Sequence, residues 1–370
     1  MSVSEFQPQK KAIVAAGITV AATYAYFLLF AQFGFLKALQ VATGGEPGVM
    51  KTVMGVMGFG GIAGSFLAAK IFNLKRSRRM LVGGFAVSAM AAGWSLVGGT
   101  LGTFFLIASL VGLGVGLTTV TLAGMLRRVL GERRLGITIG LGTGLAYGFC
   151  NLPVIFAASP AAQAWWSLLI VGVGGLAAGW LEFDAVEERP PVSFDYSRRG
   201  GGMWVTLFFT LVGLDSAGFY VIQHTPNLKA EMWSDEWRLG TNAVIHFIAA
   251  VLAGWALDRR WMGRTLIFAA ALLVVACLMI DGGSGAFAFG VVFYTAGVSV
   301  YSVALVFYPA SSMRPGLAAL VYAVAGWGGS ALGIGFAENR HSVPLELIVS
   351  AGGIIAFTLC ARRWAGGGVD

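Results

Sequence analysis

The sequence predicts an all-α membrane protein of about twelve transmembrane helices arranged as two six-helix bundles. Three features carry that expectation: too little charge for a water-facing surface, a series of apolar runs long enough to cross a bilayer, and basic residues confined to alternate connections. Hydrophobic residues make up 57% of the 370 positions and charged residues 11%, whereas a soluble globule carries roughly 25% charged residues. The 54 glycines suit a lipid solvent, because helices in a bilayer associate by close backbone approach at small residues. The net charge of +8 does not mark a nucleic-acid partner, since the charges sit in short connections rather than in one basic patch. Cys150, Cys277 and Cys360 lie in apolar segments without metal-type spacing, which argues for packing and against a disulfide framework.

A helix needs about 20 mainly apolar residues to cross the hydrocarbon core. The runs between charge clusters and Gly/Pro breaks predict helices over 11–36, 50–72, 80–99, 101–124, 136–157, 161–183, 203–224, 240–257, 265–281, 284–308, 316–336 and 345–361. The first run is too long for a cleavable signal peptide and no A-x-A-like site follows it, so it reads as a retained helix. Lys10 and Lys11 precede helix 1, and Lys70, Lys75, Arg76, Arg78 and Arg79 lie at or beyond the end of helix 2. Arg127, Arg128, Arg133 and Arg134 follow helix 4, Arg189, Arg198 and Arg199 follow helix 6, and Arg259, Arg260 and Arg264 follow helix 8. Arg314 follows helix 10, and Arg362 and Arg363 follow helix 12. Of all the lysines and arginines, only Lys37, Lys51, Lys229, Arg238 and Arg340 fall on the other side. Positive charge marks the cytoplasmic face, so the expectation is an even helix count, an inner (cytoplasmic) membrane location and both termini inside.

The longest internal polar stretch, 184–202, contains Asp184, Glu187, Glu188, Arg189, Pro190, Pro191 and Asp195. It divides the chain into an N-terminal bundle (1–183) and a C-terminal bundle (203–370) joined by a cytoplasmic connector, a plan that fits transporters built from repeated halves. Gly112–Gly116 in helix 4 and Ala296–Ser299 in helix 10 are weakly alike. In helix 5, Gly136, Gly140, Gly144 and Gly148 recur every four residues, a smooth face along which another helix can pack or slide. Helix 11 carries Gly326, Gly328, Gly329, Gly333 and Gly335, which suit either purpose.

After helix 8 the chain reads Gly254-Trp-Ala-Leu-Asp258-Arg259-Arg260-Trp-Met-Gly263-Arg264. This resembles the loop signature of the major facilitator superfamily, a Gly, then Asp-Arg, then Gly-Arg between the second and third helices of a half, with two extra residues before the second Gly. The resemblance implies that Asp258 pairs with loop arginines such as Arg259 and Arg264 to latch the inner gate. The first-half counterpart, Gly64 to Arg79, has Ala68 where the acid is expected. Ala108 and Ser109 stand where proton-coupled members often have an arginine. The resemblance also implies that helices 1, 4, 7 and 10 line a central path. That makes Tyr24 and Gln32, Thr118 and Thr119, and Tyr294, Thr295, Tyr301 and Ser302 candidate lining residues.

An ionisable group at mid-membrane is a functional candidate by default. Asp215 lies near the middle of helix 7, with His224 at the end of that helix and His246 about two turns into helix 8. At 100° per residue His224 falls on the opposite face from Asp215 and above Tyr220, while Asn242 and His246 share a face. The expectation is a polar cavity lined by Asp215, Tyr220, Asn242 and His246, with Asp215 taking a proton or balancing a cationic substrate. Met50, Met54 and Met57 form a stripe at i, i+4 and i+7. Thioethers favour copper(I), so a metal candidate joins them to His224 and His246. The superfamily includes copper importers that serve cytochrome oxidase assembly with Met and His pairs four apart, but Ala250 follows His246 at that spacing. The 225–239 loop, with Trp233, Asp235, Glu236 and Trp237, reads as an interfacial anchor or a docking surface.

Three functions are open at this level: a carrier for a small molecule or ion, an accessory subunit or assembly factor of a membrane complex, and a copper importer. No cofactor motif is present. With no nucleophile–base pair, Walker loop or ligand-spaced Cys/His cluster in the connections, an enzyme is not expected.

Overall fold

A computed structural model describes residues 10–181, 198–338 and 342–365. Most of the 184–202 connector lies outside these residues. Among the described residues twelve helices cross the molecule: α1 Lys10–Thr43, α2 Pro47–Ile71, α3 Ser77–Val97, α4 Leu101–Leu130, α5 Leu135–Cys150, α6 Pro160–Gly179, α7 Arg198–His224, α8 Glu236–Asp258, α9 Met262–Asp281, α10 Ser284–Ser312, α11 Pro315–Glu338 and α12 Leu345–Ala365. Short helices at Pro153–Phe156 and Pro226–Trp233 cap α5 and bridge α7 to α8. Ten of the crossing helices are long and apolar enough to span a bilayer, and α5 and α12 are shorter apolar helices. The chain is a multi-pass membrane protein.

Several helices run past the ends read from the sequence, each for a local reason. Helix α1 continues to Thr43 through a π-helical stretch, Phe27–Gly34, and α11 contains a second one, Val321–Gly328. Helix α4 extends to Leu130 because Arg127 is buried and satisfied: its Nη1 donates to the Ser311 carbonyl at 2.7 Å and its Nη2 to Glu132. Helix α8 starts at Glu236 because the Asp235 carboxylate accepts from the Arg238 N–H at 2.8 Å, an N-cap. That backbone donor, helped by the Ser234 hydroxyl, holds the Asp235 carboxyl below the usual carboxylate range.

The packing repeats with a shift of six helices. In the first half α2 lies on α4, α4 on α3, α3 on α6, and α6 and α5 on α1; in the second half α8 lies on α10, α10 on α9, α9 on α12, and α12 and α11 on α7. Across the halves α5 meets α8, α2 meets α11 and α4 meets α10, again a symmetric set. Two six-helix bundles related in this way follow from the glycines at the crossings. A Cβ at Gly112 would stand 2.0 Å from the Met57 carbonyl, and one at Gly333 2.1 Å from the Gly213 carbonyl. Gly112→Ala is therefore expected to cost about 1–3 kcal/mol of overpacking and to lower the unfolding temperature in detergent. Gly83→Ala, with no atom within 4 Å of its Cβ position, should leave that temperature unchanged.

The stripe on α5 faces α8. Cβ atoms at Gly136, Gly140 and Gly144 would stand 2.3, 2.4 and 3.1 Å from Gly254, Ala250 and Phe247, while nothing lies within 4 Å of Gly148. This is a seam between the bundles. In α11, Gly329 and Gly333 instead pack on α7 within one bundle. Among the described residues, the connections that carry Lys75 and Arg76, Arg133 and Arg134, and Arg259 and Arg260 lie on one side, called the basic face below.

Candidate functional site

Asp215 lies in the middle of α7. Its carboxylate accepts hydrogen bonds from Tyr294 (Oδ1, 2.6 Å) and Tyr301 (Oδ2), both on α10 and two turns apart. No described Lys, Arg or His side chain forms an ion pair with it. A carboxylate enclosed this deeply is costly unless a proton or a cation balances it. The two tyrosines stabilise the group by charge-assisted hydrogen bonding but supply no positive charge.

A second network starts one residue along α10. The Ser302 carbonyl accepts from the Tyr24 hydroxyl of α1 at 2.9 Å, and its Oγ lies 3.1 Å from the Tyr147 hydroxyl of α5. Tyr147 stacks on His246 of α8, with centroids 4.2 Å apart and planes at 8°. The His246 Nδ1 is 2.7 Å from Ser299 Oγ, and Ser299 donates its proton to the Thr295 carbonyl at 3.1 Å. Side chains of α1, α5, α8 and α10 thus meet along one face of α10, from Thr295 to Ser302.

The four residues expected to line a single cavity separate into three places. Asp215 belongs to the tyrosine pair. Asn242 and His246 do share a buried face of α8, but Asn242 donates to the Met232 carbonyl at 2.8 Å and ties down the Pro226–Trp233 helix. Tyr220 is stacked on His224 at 4.0 Å, and the His224 Nδ1 is 2.8 Å from the Tyr220 carbonyl. Both stay at the end of α7. The side chains of Tyr220 and His246 point to different neighbours. Gln32 is half-buried in the π-helical part of α1. Of the helix 10 candidates, Tyr294, Thr295, Tyr301 and Ser302 are all buried and engaged in the two networks. Tyr147, Ser299 and Trp327 were not anticipated. Tyr147 alone had a visible signal, a polar ring set between Gly144 and Gly148.

Asp258 does not pair with the loop arginines that the resemblance implies. Its two oxygens accept from the backbone N–H groups of Gly136 (2.6 Å) and Ile137 (2.8 Å) at the start of α5. Those are orphan donors at the positive end of a helix dipole, so the acid of one bundle caps a helix of the other. Arg259 instead stacks over Trp255 at 3.7 Å, Arg264 lies over Trp261 at 5.7 Å, and Gly263 sits in the first turn of α9. Arg260 reaches Glu132 across the halves at 3.9 Å. Ala68, where the first half lacks the acid, is fully buried in α2. Asp258→Ala removes a cap worth about 0.5–2 kcal/mol. The expected result is faster thiol labelling of a cysteine at Leu257, and an unchanged rate would deny the cap a role in closing this face.

The opposite face is closed by rings. Phe33 of α1 and Phe156 meet Phe219 of α7 and Trp233, with centroids 5.4–6.5 Å apart, and Lys51 of α2 pairs with Glu338 of α11 at 3.0 Å. Trp233 is therefore turned into the protein instead of anchoring at an interface, whereas Trp237 is 82% exposed. Asp215 lies between two closed ends.

In the methionine stripe, Met57 is buried and Met50 and Met54 are half-buried. The histidines named with them are engaged elsewhere, His224 on its own helix and His246 with Ser299 and Tyr147. Among the described residues no three His, Cys, Asp or Glu side chains converge on a metal position. The triple substitution of Met50, Met54 and Met57 by Leu is expected to leave cellular copper unchanged, and a fall in copper accumulation would restore the metal reading.

No family model and no curated protein matches the sequence. Solved structures do. The human organic anion transporter MFSD10 (TETRAN) superposes with a TM-score of 0.67 at 13% identity, covering 96% of this chain and 99% of that one. The E. coli fucose:proton symporter FucP superposes at 0.66 with 14% identity, over 97% and 100% of the two chains. FucP in the outward conformation gives 0.68 at 14% identity, over 96% and 100%. The chain has the major-facilitator fold. Likeness at 13–14% identity carries the fold alone. The chain's chemistry has to be read from its own residues, Asp215 within the second bundle and Asp258 between the bundles among them.

Proposed function

We propose that this protein is a secondary transporter that moves a small solute across the inner membrane by alternating access, with Asp215 as its central proton- or cation-binding group. In this reading the halves are 1–183 and 203–370, the connector 184–202 is cytoplasmic, and the basic face is the cytoplasmic one. One observation carries the proposal: a carboxylate with no cationic partner among the described residues sits at mid-depth in a fold whose two ends are each closed by contacts between the halves. Such closures are made of polar caps, glycine seams and ring contacts that can separate as bodies, which is what a rocking carrier needs. A structural subunit has no need to place an unbalanced acid there.

The test uses the closure between α2 and α11. Lys51→Cys and Glu338→Cys, in a Cys360→Ser background, are bridged with a short thiol crosslinker in proteoliposomes. A carrier loses solute counterflow when bridged and regains it on reduction. Counterflow that is indifferent to bridging, together with partner proteins that co-purify in mild detergent, would favour an accessory subunit instead.

A further inference from the structure

Asp215 is the only acidic residue among the described residues that lies away from the ends of the crossing helices, and no described lysine or arginine lies at that depth. Its surroundings are aromatic. Tyr294 and Tyr301 hold the carboxylate, and Tyr24 and Tyr147, with ring centroids 6.3 Å apart, converge on Ser302 next to Tyr301. Phe27, one turn along α1 from Tyr24, meets Trp327 edge-on at 6.2 Å. Trp327 reaches from α11 to α2, where a Cβ at Gly61 would stand 2.0 Å from the indole. Both rings belong to the two π-helical stretches, a geometry often found at functional sites. Asp215, Tyr24, Phe27 and Trp327 each keep some accessible surface, although Tyr24, Phe27 and Trp327 make contacts between the halves.

We propose that the solute is a small organic monocation, a quaternary ammonium or protonated amine, with its charge at Asp215 and its alkyl surface against the rings of Tyr24, Phe27 and Trp327. The inference rests on the transporter reading and names its substrate class. A cation balances the acid and is attracted to ring faces. An anion would meet Asp215 with no positive side chain among the described residues at that depth to hold it. A sugar is held by several directional hydrogen bonds, and the amide donors of Asn151, Asn242 and Gln163 are already given to the Tyr147, Met232, and Ile155 and Phe156 carbonyls.

One carboxylate serving both ligands makes the proton and the cation exclusive. The proton held by Asp215 between cycles leaves to the aqueous side from which the cation enters, so each exchange moves no net charge. The titratable groups facing Asp215 are Tyr294 and Tyr301 of α10, Tyr147 of α5 and Cys277 of α9.

The test measures binding to the purified full chain in detergent. Choline, tetraethylammonium and benzyltrimethylammonium are compared with L-fucose as neutral probe and p-aminohippurate as anionic probe. The expected result is a saturable rise in unfolding temperature with at least one cation and release of about one proton per cation bound in weakly buffered solution. Binding should weaken roughly 10-fold or more, about 1.4 kcal/mol, in both Asp215→Asn and Tyr24→Leu, whereas Tyr24→Phe, which keeps the ring, should retain it. Tyr24→Leu keeps the test decisive if Asp215→Asn does not elute as a monodisperse species. Binding by fucose or p-aminohippurate alone, or cation binding indifferent to both substitutions, overturns the monocation assignment and leaves the carrier standing. Silence from all three classes also defeats the assignment, and the crosslinking result then shows separately whether the transporter reading falls with it.

Discussion

Asp215→Asn is expected to abolish solute movement driven by a pH gradient, a loss of about 100-fold or more, while the protein still folds and inserts. Asparagine keeps the shape: Tyr294 and Tyr301 donate to the two carboxylate oxygens, and the amide can accept from one tyrosine through Oδ1 while its NH2 donates to the hydroxyl oxygen of the other. It cannot bind a proton or offset a cation. A buried hydrogen-bonded carboxylate that only fixed α7 against α10 would tolerate the change, because replacing a charge by a neutral acceptor in low dielectric removes a desolvation cost. The two roles therefore predict opposite outcomes. Internal pH in proteoliposomes, followed with a trapped fluorescent indicator while solutes are added outside, reads the difference. Equal proton movement in the wild type and in Asp215→Asn would remove Asp215 from the mechanism. Size-exclusion behaviour and unfolding temperature, both expected to match the wild type, separate lost transport from lost fold.

Gly140→Val is expected to open the basic face. A Cβ at Gly140 stands 2.4 Å from the Ala250 carbonyl, a backbone atom that cannot rotate away, and valine adds two further methyl groups. Overpacking of this kind costs about 1–3 kcal/mol, and relief comes most easily by separating α5 from α8. Separation also pulls Asp258 from the Gly136 and Ile137 N–H groups, so the seam and its cap fail together. Between two conformations of one carrier, 1–3 kcal/mol shifts the ratio by roughly 5- to 150-fold. Thiol labelling of a cysteine at Leu257, buried in the closed form, should accelerate accordingly. Gly148→Val is the matched control, since it lies on the same stripe with no atom within 4 Å. Equal labelling in the two variants would mean that the stripe is not the closing surface. A general loss of stability is distinguished by the unfolding temperature, which a shift between two folded conformations leaves nearly unchanged.

The helix count, the two-bundle plan and the interest of Asp215 were legible in the primary structure because each follows from a one-dimensional signal. Bilayer thickness sets the length of an apolar run, and charge in lipid is costly enough that one acid inside such a run stands out. The glycine spacing on α5 likewise announced a close helix neighbour, since a period of four residues stays on one face. Pairing across the bundles has no such signal. Asp258 had arginines beside it in sequence, yet it caps α5, because the exposed N–H groups of Gly136 and Ile137 come within 2.8 Å only when the halves meet. Trp233 and Trp237 are equivalent as letters, but one faces a ring cluster and the other solvent.

The linear chain was therefore sufficient for what lipid imposes on each segment separately: crossings, connections and the rarity of buried charge. Folding decided which crossings touch, and with that the partners of Asp215, the isolation of Tyr220 from His246 and the two closures. The physical reason is that burial acts on a residue wherever it sits, whereas a hydrogen bond or a ring contact needs two groups, and groups far apart in the chain meet only once the helices pack.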